Sequence, residues 1–146
     1  MNRVAFFCLA AALIAPPGCS DMAGPKTMRA WGDVSFEGKP IQDGTITFEG
    51  TDGAAPAQGP IKDGRYDIPA PSGPVAEKEY VVRINALTKS GKTVKNIMDE
   101  SSPTMDVMTD TIPAVFNVQS TMKKTISSDS SKNQFTFKLM RSGAYE

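Results

Sequence analysis

"WGDVSFEGKPIQDGTITFEG", residues 31–50, is the stretch that decides the fold. Val34 and Phe36 alternate with polar neighbours before the turn residues of "GKPIQDG", and Ile46 and Phe48 do so after them. Alternation with a period of two residues predicts half-buried β-strands. Gly, Pro and Asp between such runs favour a turn. The stretch therefore predicts two short strands of an antiparallel sheet.

The rest of the chain repeats this pattern of short strands and polar turns. An Asp-Gly pair between Ile61 and Tyr66 predicts a tight hairpin. Further strands are predicted in "EYVVRINAL" (79–87), "STMKKTI" (120–126) and "NQFTFKLM" (133–140), with "SGK" (90–92) as a turn after the first and "SSDSSK" (127–132) as a hairpin turn between the last two. No segment after residue 19 keeps a helical period. The predicted fold class is all-β, a single antiparallel seven-stranded β-sandwich over residues 31–141.

The N-terminus has the pattern of a secretion signal. Arg3 precedes the wholly apolar run 4–15, which stops at Pro16 and Pro17. A positive start followed by a short apolar run is typical of a signal peptide. Spanning a bilayer would take about 20 apolar residues. Residues 1–18 are therefore predicted to be a signal peptide.

The end of that run resembles the lipobox of bacterial lipoproteins. Gly18 is the small residue before a cysteine, and Cys19 is the residue that would carry the lipid. Pro16 stands where this motif usually has Leu. The prediction is cleavage after Gly18 and lipidation of Cys19, with ordinary secretion and a free thiol as the alternative. Residues 19–30 are small and polar and are predicted to be a tether.

Composition limits the partners and the covalent links that this chain can have. The chain of 146 residues has 16 basic and 16 acidic residues, no histidine and two cysteines, Cys8 and Cys19. Loss of residues 1–18 removes Cys8 and Arg3, so no internal disulfide is possible and the net charge becomes −1. This balance argues against nucleic acid, which needs a basic surface. A lipid on Cys19 would then provide the attachment to the membrane.

Four patches of the chain together resemble a known family. They are "WGDVSFEGKPIQDGTITFEG", "GPIKDGRYDIPAPSGPVAEKEYVVRINALTKSGK", "IPAVFNVQSTMKKTI" and "NQFTFKL". In this order they resemble small bacterial lipoproteins with a carboxypeptidase regulatory-like (transthyretin-like) domain. The resemblance implies a non-catalytic, transthyretin-like or Ig-like sandwich, and a regulatory fold does not bring peptidase chemistry with it. Lys124 stands where this family is usually apolar, which predicts that its strand lies at an edge.

Few residues offer catalytic chemistry. Without histidine, the usual Ser-His-Asp, Cys-His and histidine metal sites are excluded. Two carboxylate pairs, Asp99 with Glu100 and Glu77 with Glu79, lie in polar loops and are interpreted as solvated surface. The sequence therefore predicts no enzyme, no cofactor and no metal site, and a carboxylate-based hydrolase stays an alternative.

Residues 97–112 form the longest stretch without a period. Met98, Met105 and Met108 lie there among several acidic residues. Thioether sulfurs suit soft ions such as Cu(I), but the irregular spacing favours methionines that fill gaps in packing. The stretch is predicted to be a loop that faces a partner.

The sequence thus predicts a lipid-anchored lipoprotein of the cell envelope with a non-catalytic binding or structural module. Its partners would be the membrane, through Cys19, and an envelope protein or a glycan. A secreted carbohydrate-binding domain is the alternative, because sandwiches often bind sugars on exposed aromatic side chains. Trp31, at the start of a strand, either caps the core or stands exposed.

Overall fold

The computed structural model describes residues 24–98, 101 and 103–146. Its strands curl around one hydrophobic core, and a two-stranded sheet stands apart from them. This confirms the predicted all-β, sandwich-like fold.

Within the described residues, the structure has ten strands, and three one-turn 3-10 helices lie in the connections between them. The strands are β1 Ala30–Phe36, β2 Lys39–Pro40, β3 Asp43–Gly50, β4 Ala57–Lys62, β5 Arg65–Ile68, β6 Glu79–Asn85, β7 Leu87–Lys95, β8 Thr104–Asp110, β9 Lys123–Thr125 and β10 Phe137–Leu139. The 3-10 helices are Ala70–Ser72, Ala114–Phe116 and Ser130–Lys132.

The main sheet has the order β10-β1-β5-β4-β3-β6-β9, with β2 paired to β1. The first half of β1, Ala30–Asp33, pairs with β5, and its second half, Val34–Phe36, pairs with β10. The two neighbours flank β1 on opposite sides, and the segment before β10 already meets β1 at Trp31, which pairs with Gln134. The approach is close at Gly32, where a Cβ atom would stand 2.0 Å from the carbonyl oxygen of Phe135.

One predicted connection is wrong. "SSDSSK" does not form a hairpin, because β9 and β10 lie at opposite ends of the strand order. The segment instead carries the chain across the sandwich and forms the 3-10 turn Ser130–Lys132. After this crossing β10 runs parallel to β1, whereas the other strand pairs of the described residues are antiparallel.

The core consists of side chains at the alternating positions that the sequence predicted to be buried. On β6 the side chains of Tyr80, Val82 and Ile84 are fully buried, while their neighbours are half-buried. Phe48 on β3 and Phe137 on β10 are also fully buried. The Asp-Gly hairpin is confirmed as the β4–β5 turn, with Ile61 opposite Tyr66.

The prediction for Lys124 is confirmed, because β9 is an edge strand of the main sheet. The Lys124 ammonium lies 5.7 Å from the ring centre of Phe135 and 5.6 Å from that of Phe137. An ammonium above an aromatic face is attracted by the ring. The charge therefore covers the aromatic end of the core.

The folded domain extends beyond both predicted bounds. Met28 and Ala30, assigned above to the tether, are buried, and Thr27 pairs with Val75. At the other end the backbones of Glu146 and Lys138 exchange two hydrogen bonds of 3.1 Å. Met28 and Ala30 continue the inward parity of Val34, but Gly32 and the small Ala30 give that parity little apolar signal in the sequence.

The largest difference from expectation is at residues 87–110. Residues 90–92 lie within β7 and not in a turn, and residues 104–110 of the predicted loop form β8, which pairs with β7 as an antiparallel ribbon, here named the arm. Its side chains are almost all exposed. A strand with no buried face has no hydrophobic alternation, so the period of two was absent from the sequence.

Candidate functional site

A polar groove lies on the solvent face of β1, β4 and β5. Its volume is about 610 Å³. It is here named the Trp31 groove, and its lining includes Arg29, Trp31, Asp33, Lys62, Arg65, Tyr66, Asp67 and Gln134. Trp31 is half-buried there and does not cap the core.

Trp31 is held beside a fixed cation. The Arg29 guanidinium carbon lies 5.2 Å from the centre of the Trp31 ring. Arg29 donates two hydrogen bonds, of 2.7 and 2.6 Å, to the Asp67 carboxylate on the neighbouring strand. This pairing lowers the pKa of Asp67 and raises that of Arg29. The groove thus offers a ring with a guanidinium-carboxylate pair beside it.

The remaining groups of the groove add charge and a buried hydroxyl. Arg65 lies 3.6 Å from the Asp33 carboxylate and is largely exposed. The Tyr66 hydroxyl donates a hydrogen bond of 3.1 Å to the Phe135 carbonyl, and burial raises the pKa of Tyr66. Tyr66 therefore stays protonated and structural. The groove can stack a flat apolar surface and hydrogen-bond to polar groups around it.

The arm is fixed to the sandwich by one carboxylate. Asp110 accepts hydrogen bonds from the side-chain amide of Asn85 at 2.7 Å, from the backbone N–H groups of Ala86 at 3.1 Å and Ile112 at 2.9 Å, and from the side-chain amide of Asn117 at 3.1 Å. These donors lie on both sides of the point where β7 and β8 leave the sandwich. Asp110 therefore sets the position of the arm.

A second cavity, of about 280 Å³, opens beside this root. Its lining is largely apolar and includes Phe36, Pro40, Ile41, Leu87 and Ile112. The arm itself exposes apolar side chains, with about half of Val94, Met105 and Met108 accessible. Apolar surface is thus concentrated at this end of the domain.

The arm and the N-terminal segment lie at opposite ends of the sheet. Thr27 pairs with Val75 beside the end of β5 at Ile68. The register from β5 through β4 and β3 to β6 puts Arg65, Lys62, Asp43 and Asn85 together at the other end. The arm begins at Leu87, one residue beyond the end of β6 at Asn85, and therefore at the end remote from Thr27.

The predicted site residues are scattered. Gly18 and Cys19, and the pair Asp99 and Glu100, lie outside the described residues. The Glu77 carboxylate accepts a 2.8 Å hydrogen bond from the Ser128 backbone N–H, which lowers its pKa. Glu79 instead pairs with Lys123 at 2.9 Å. Each member of this second pair therefore has its own surface partner.

The methionines do not fill gaps in packing, which corrects the expectation above. Met98 is 92% exposed, and Met105 and Met108 are about half exposed. Met105 and Met108 are three residues apart on one strand, so their side chains point to opposite faces of the arm. The structure therefore does not gather Met105 and Met108 on one face.

Sequence reasoning singled out Trp31 but missed its charged surroundings. Trp31 and Asp33 of β1 lie opposite Asp67 and Arg65 of β5, and Arg29, just before β1, has the same parity. This alternation was visible in the sequence, but the register that joins the two strands was not. Asp110 carried no signal, because its donors come from three separate segments.

Comparisons with known proteins found no relative of this chain. Neither a family model, nor a curated protein, nor a solved structure matches the chain. Within residues 24–98, 101 and 103–146 the structure has no helix of the length and apolarity needed to cross a membrane. The same residues contain no cluster of three or more His, Cys, Asp or Glu side chains suited to a metal ion.

Proposed function

We propose that this chain is a lipid-anchored protein of the cell envelope, with a non-catalytic β-sandwich that acts as a binding module. Gly18-Cys19 after a short apolar run supports the anchor. The order of motifs similar to carboxypeptidase regulatory-like lipoproteins supports the class of domain. The arm is the contact surface in this proposal.

The observation that carries the proposal is the separation of the two ends. Eight residues from Cys19 to Thr27 reach at most about 28 Å when extended. A lipid on Cys19 would therefore hold the Thr27 end of the sandwich close to the membrane. The root of the arm would then face away from it, and a ribbon whose nine-residue strand measures about 30 Å would be available to a partner.

Metabolic labelling with a fatty acid tests the anchor. The wild-type chain should incorporate the label, and Cys19→Ala should not. Equal labelling of both chains would refute lipidation at Cys19.

A photo-cross-linking residue tests the contact surface. It is introduced at Met105 on the arm or, as a matched control, at Val118 on the sandwich, since both side chains are exposed and apolar at 50% and 74%. We expect a discrete cross-linked product in envelopes from Met105 alone. Products from Val118 alone would place the contact on the sandwich instead.

A carbohydrate-binding domain is the second candidate, and the Trp31 groove favours it. Sugar rings present a flat apolar face and several hydroxyls, which fits an aromatic ring flanked by polar groups. A glycan array tests this with wild type, Trp31→Ala and a control, Tyr145→Ala, which removes an exposed aromatic ring outside the groove. Binding that only Trp31→Ala abolishes would support the second candidate.

A further inference from the structure

The free edges of β7 and β8 differ in how well they could pair with a further strand. Within the described residues β7 and β8 pair only with each other, so each has one edge without a ladder partner. On β7 the step from Lys89 to Thr93 matches a step of only two residues on β8, which makes a bulge. Bulges and lysines are features that protect an edge from further pairing. β7 has both, with lysines at 89, 92 and 95.

β8 has neither of these protections. It is a continuous strand of seven residues, "TMDVMTD", without a lysine. Its one charge away from the root, Asp106, is already paired with Lys89 at 2.6 Å. The free edge of β8 is therefore open to another strand.

The sequence of β8 is compatible with a second copy of itself. An antiparallel pair centred on Val107 sets Thr104 opposite Asp110, Met105 opposite Thr109 and Asp106 opposite Met108. No like charges face each other in this register, whereas direct opposition of like charges destabilises a sheet.

The faces of the arm agree with this pairing. Side chains alternate along a strand, so Met105, Val107 and Thr109 share a face with their partners Val94 and Thr88 of β7. On β8 this face is uncharged, and on β7 the alternation adds only Lys92, at the bulge. Because opposite residues share a face, two arms would join the uncharged faces of their β8 strands at the centre of one four-stranded surface.

We propose that two copies of this chain associate through the β8 edges of their arms, antiparallel and centred on Val107. A two-stranded ribbon is marginal in water, whereas independent stability needs three or more strands with a hydrophobic face. The association therefore stabilises the arm as well as joining the copies. It rests on the proposed role of the arm as a contact surface but not on the lipid.

Single cysteines test the register. The full chain with Val107→Cys, extracted in detergent and mildly oxidised, should give a disulfide-linked dimer on a non-reducing gel. Thr104→Cys is the matched control, since the two residues 104 would be six positions, or about 20 Å, apart. A disulfide needs Cα atoms within about 7 Å. The wild-type chain, oxidised in the same way, is the control for a disulfide formed through Cys19.

A mixed pair tests the antiparallel direction. Chains with Met105→Cys mixed with chains with Thr109→Cys should cross-link to each other, because these positions are opposite in the proposed register. Chains with Met105→Cys alone should not, since their cysteines would be about 14 Å apart. Sedimentation should show a dimer for wild type and a monomer for Val107→Lys, which opposes two ammonium groups at the centre, with unchanged sandwich melting.

The proposal is overturned if wild type sediments as a monomer, or if Val107→Cys and Thr104→Cys cross-link equally. It is also overturned if Val107→Cys is captured by a different envelope protein. If the dimer is not found, the fatty-acid labelling of Cys19 is still expected. Loss of labelling leaves the dimer in detergent untouched, so the two proposals fail separately.

Discussion

The sandwich and the arm use the same antiparallel ladder but depend on different interactions. β6 buries every second side chain, whereas β7, which follows it after a single residue, exposes all nine. The sandwich is stabilised by its apolar core. The arm has no such core, and in its described residues it depends on its ladder, an ion pair and hydrogen bonds, those of Asp110 among them.

The two regions are therefore vulnerable to different substitutions. A truncated side chain leaves a cavity in the sandwich, because its interior is close-packed. The same truncation on the arm leaves only more exposed backbone. The arm should therefore open locally at a lower free energy than the sandwich unfolds.

Truncation of one core ring gives the largest expected effect. Phe137 is fully buried, so Phe137→Ala should lower the free energy of unfolding by about 3–5 kcal/mol. Met105→Ala on the arm is the matched truncation and should change it by about 0.5 kcal/mol or less. Urea denaturation of both variants checks this, and equal losses would contradict the comparison.

Two glycine substitutions test the same comparison of sandwich and arm at the backbone. In Gly32→Ala the new Cβ atom would lie 2.0 Å from the Phe135 carbonyl oxygen, and strand β1 or the β10 segment must move. We expect a loss of about 1–3 kcal/mol in global stability, as for an overpacked core. Gly91→Ala has a φ of +78° but meets no atom within 4 Å, so its cost of about 1 kcal/mol should stay within the arm. Thermal unfolding of the sandwich should distinguish them.

The same difference explains how far the sequence could be read. The strands around Val34, Phe48, Tyr80 and Phe137 were predictable because burial imposes a period of two. The arm was not, since its residues satisfy backbone pairing without burial, and Gly91 in "SGK" looked like a turn. The Trp31 groove was half predictable, because Trp31 was noticed and the partners brought by β5 depend on register.

Removal of the carboxylate at the root of the arm should have an intermediate effect. Asp110→Ala leaves four donors without their acceptor, and each unpaired donor costs up to about 1–3 kcal/mol where it stays buried. We expect faster hydrogen exchange across β7 and β8 and earlier proteolysis of the arm. Asp106→Ala is the control, since it removes only a surface ion pair worth about 0–1 kcal/mol. Similar exchange in both variants would show that Asp110 does not hold the arm.

The smallest expected effect is a change in the fluorescence of Trp31 with pH, caused by protonation of Asp67 in the Trp31 groove. The hydrogen bonds from Arg29 keep the pKa of Asp67 in the folded chain below its unfolded value near 3.9. The pair therefore contributes stability above about pH 4 and loses it as the pH falls through the lower, folded-state pKa. Trp31 is the only tryptophan, and its emission should change in that acidic window as Arg29 is released from Asp67 beside the ring.

Two amide variants isolate the groove in that titration. Asp67→Asn should abolish the change in Trp31 emission, since no carboxylate remains to titrate against Arg29. Asp52→Asn should preserve it, because the pKa of Asp52 is also lowered, but by a hydrogen bond from Lys78 in another part of the sandwich. An acidic transition that persists in Asp67→Asn would assign the emission change to general acid unfolding of the core, and the groove would then have no pH response of its own.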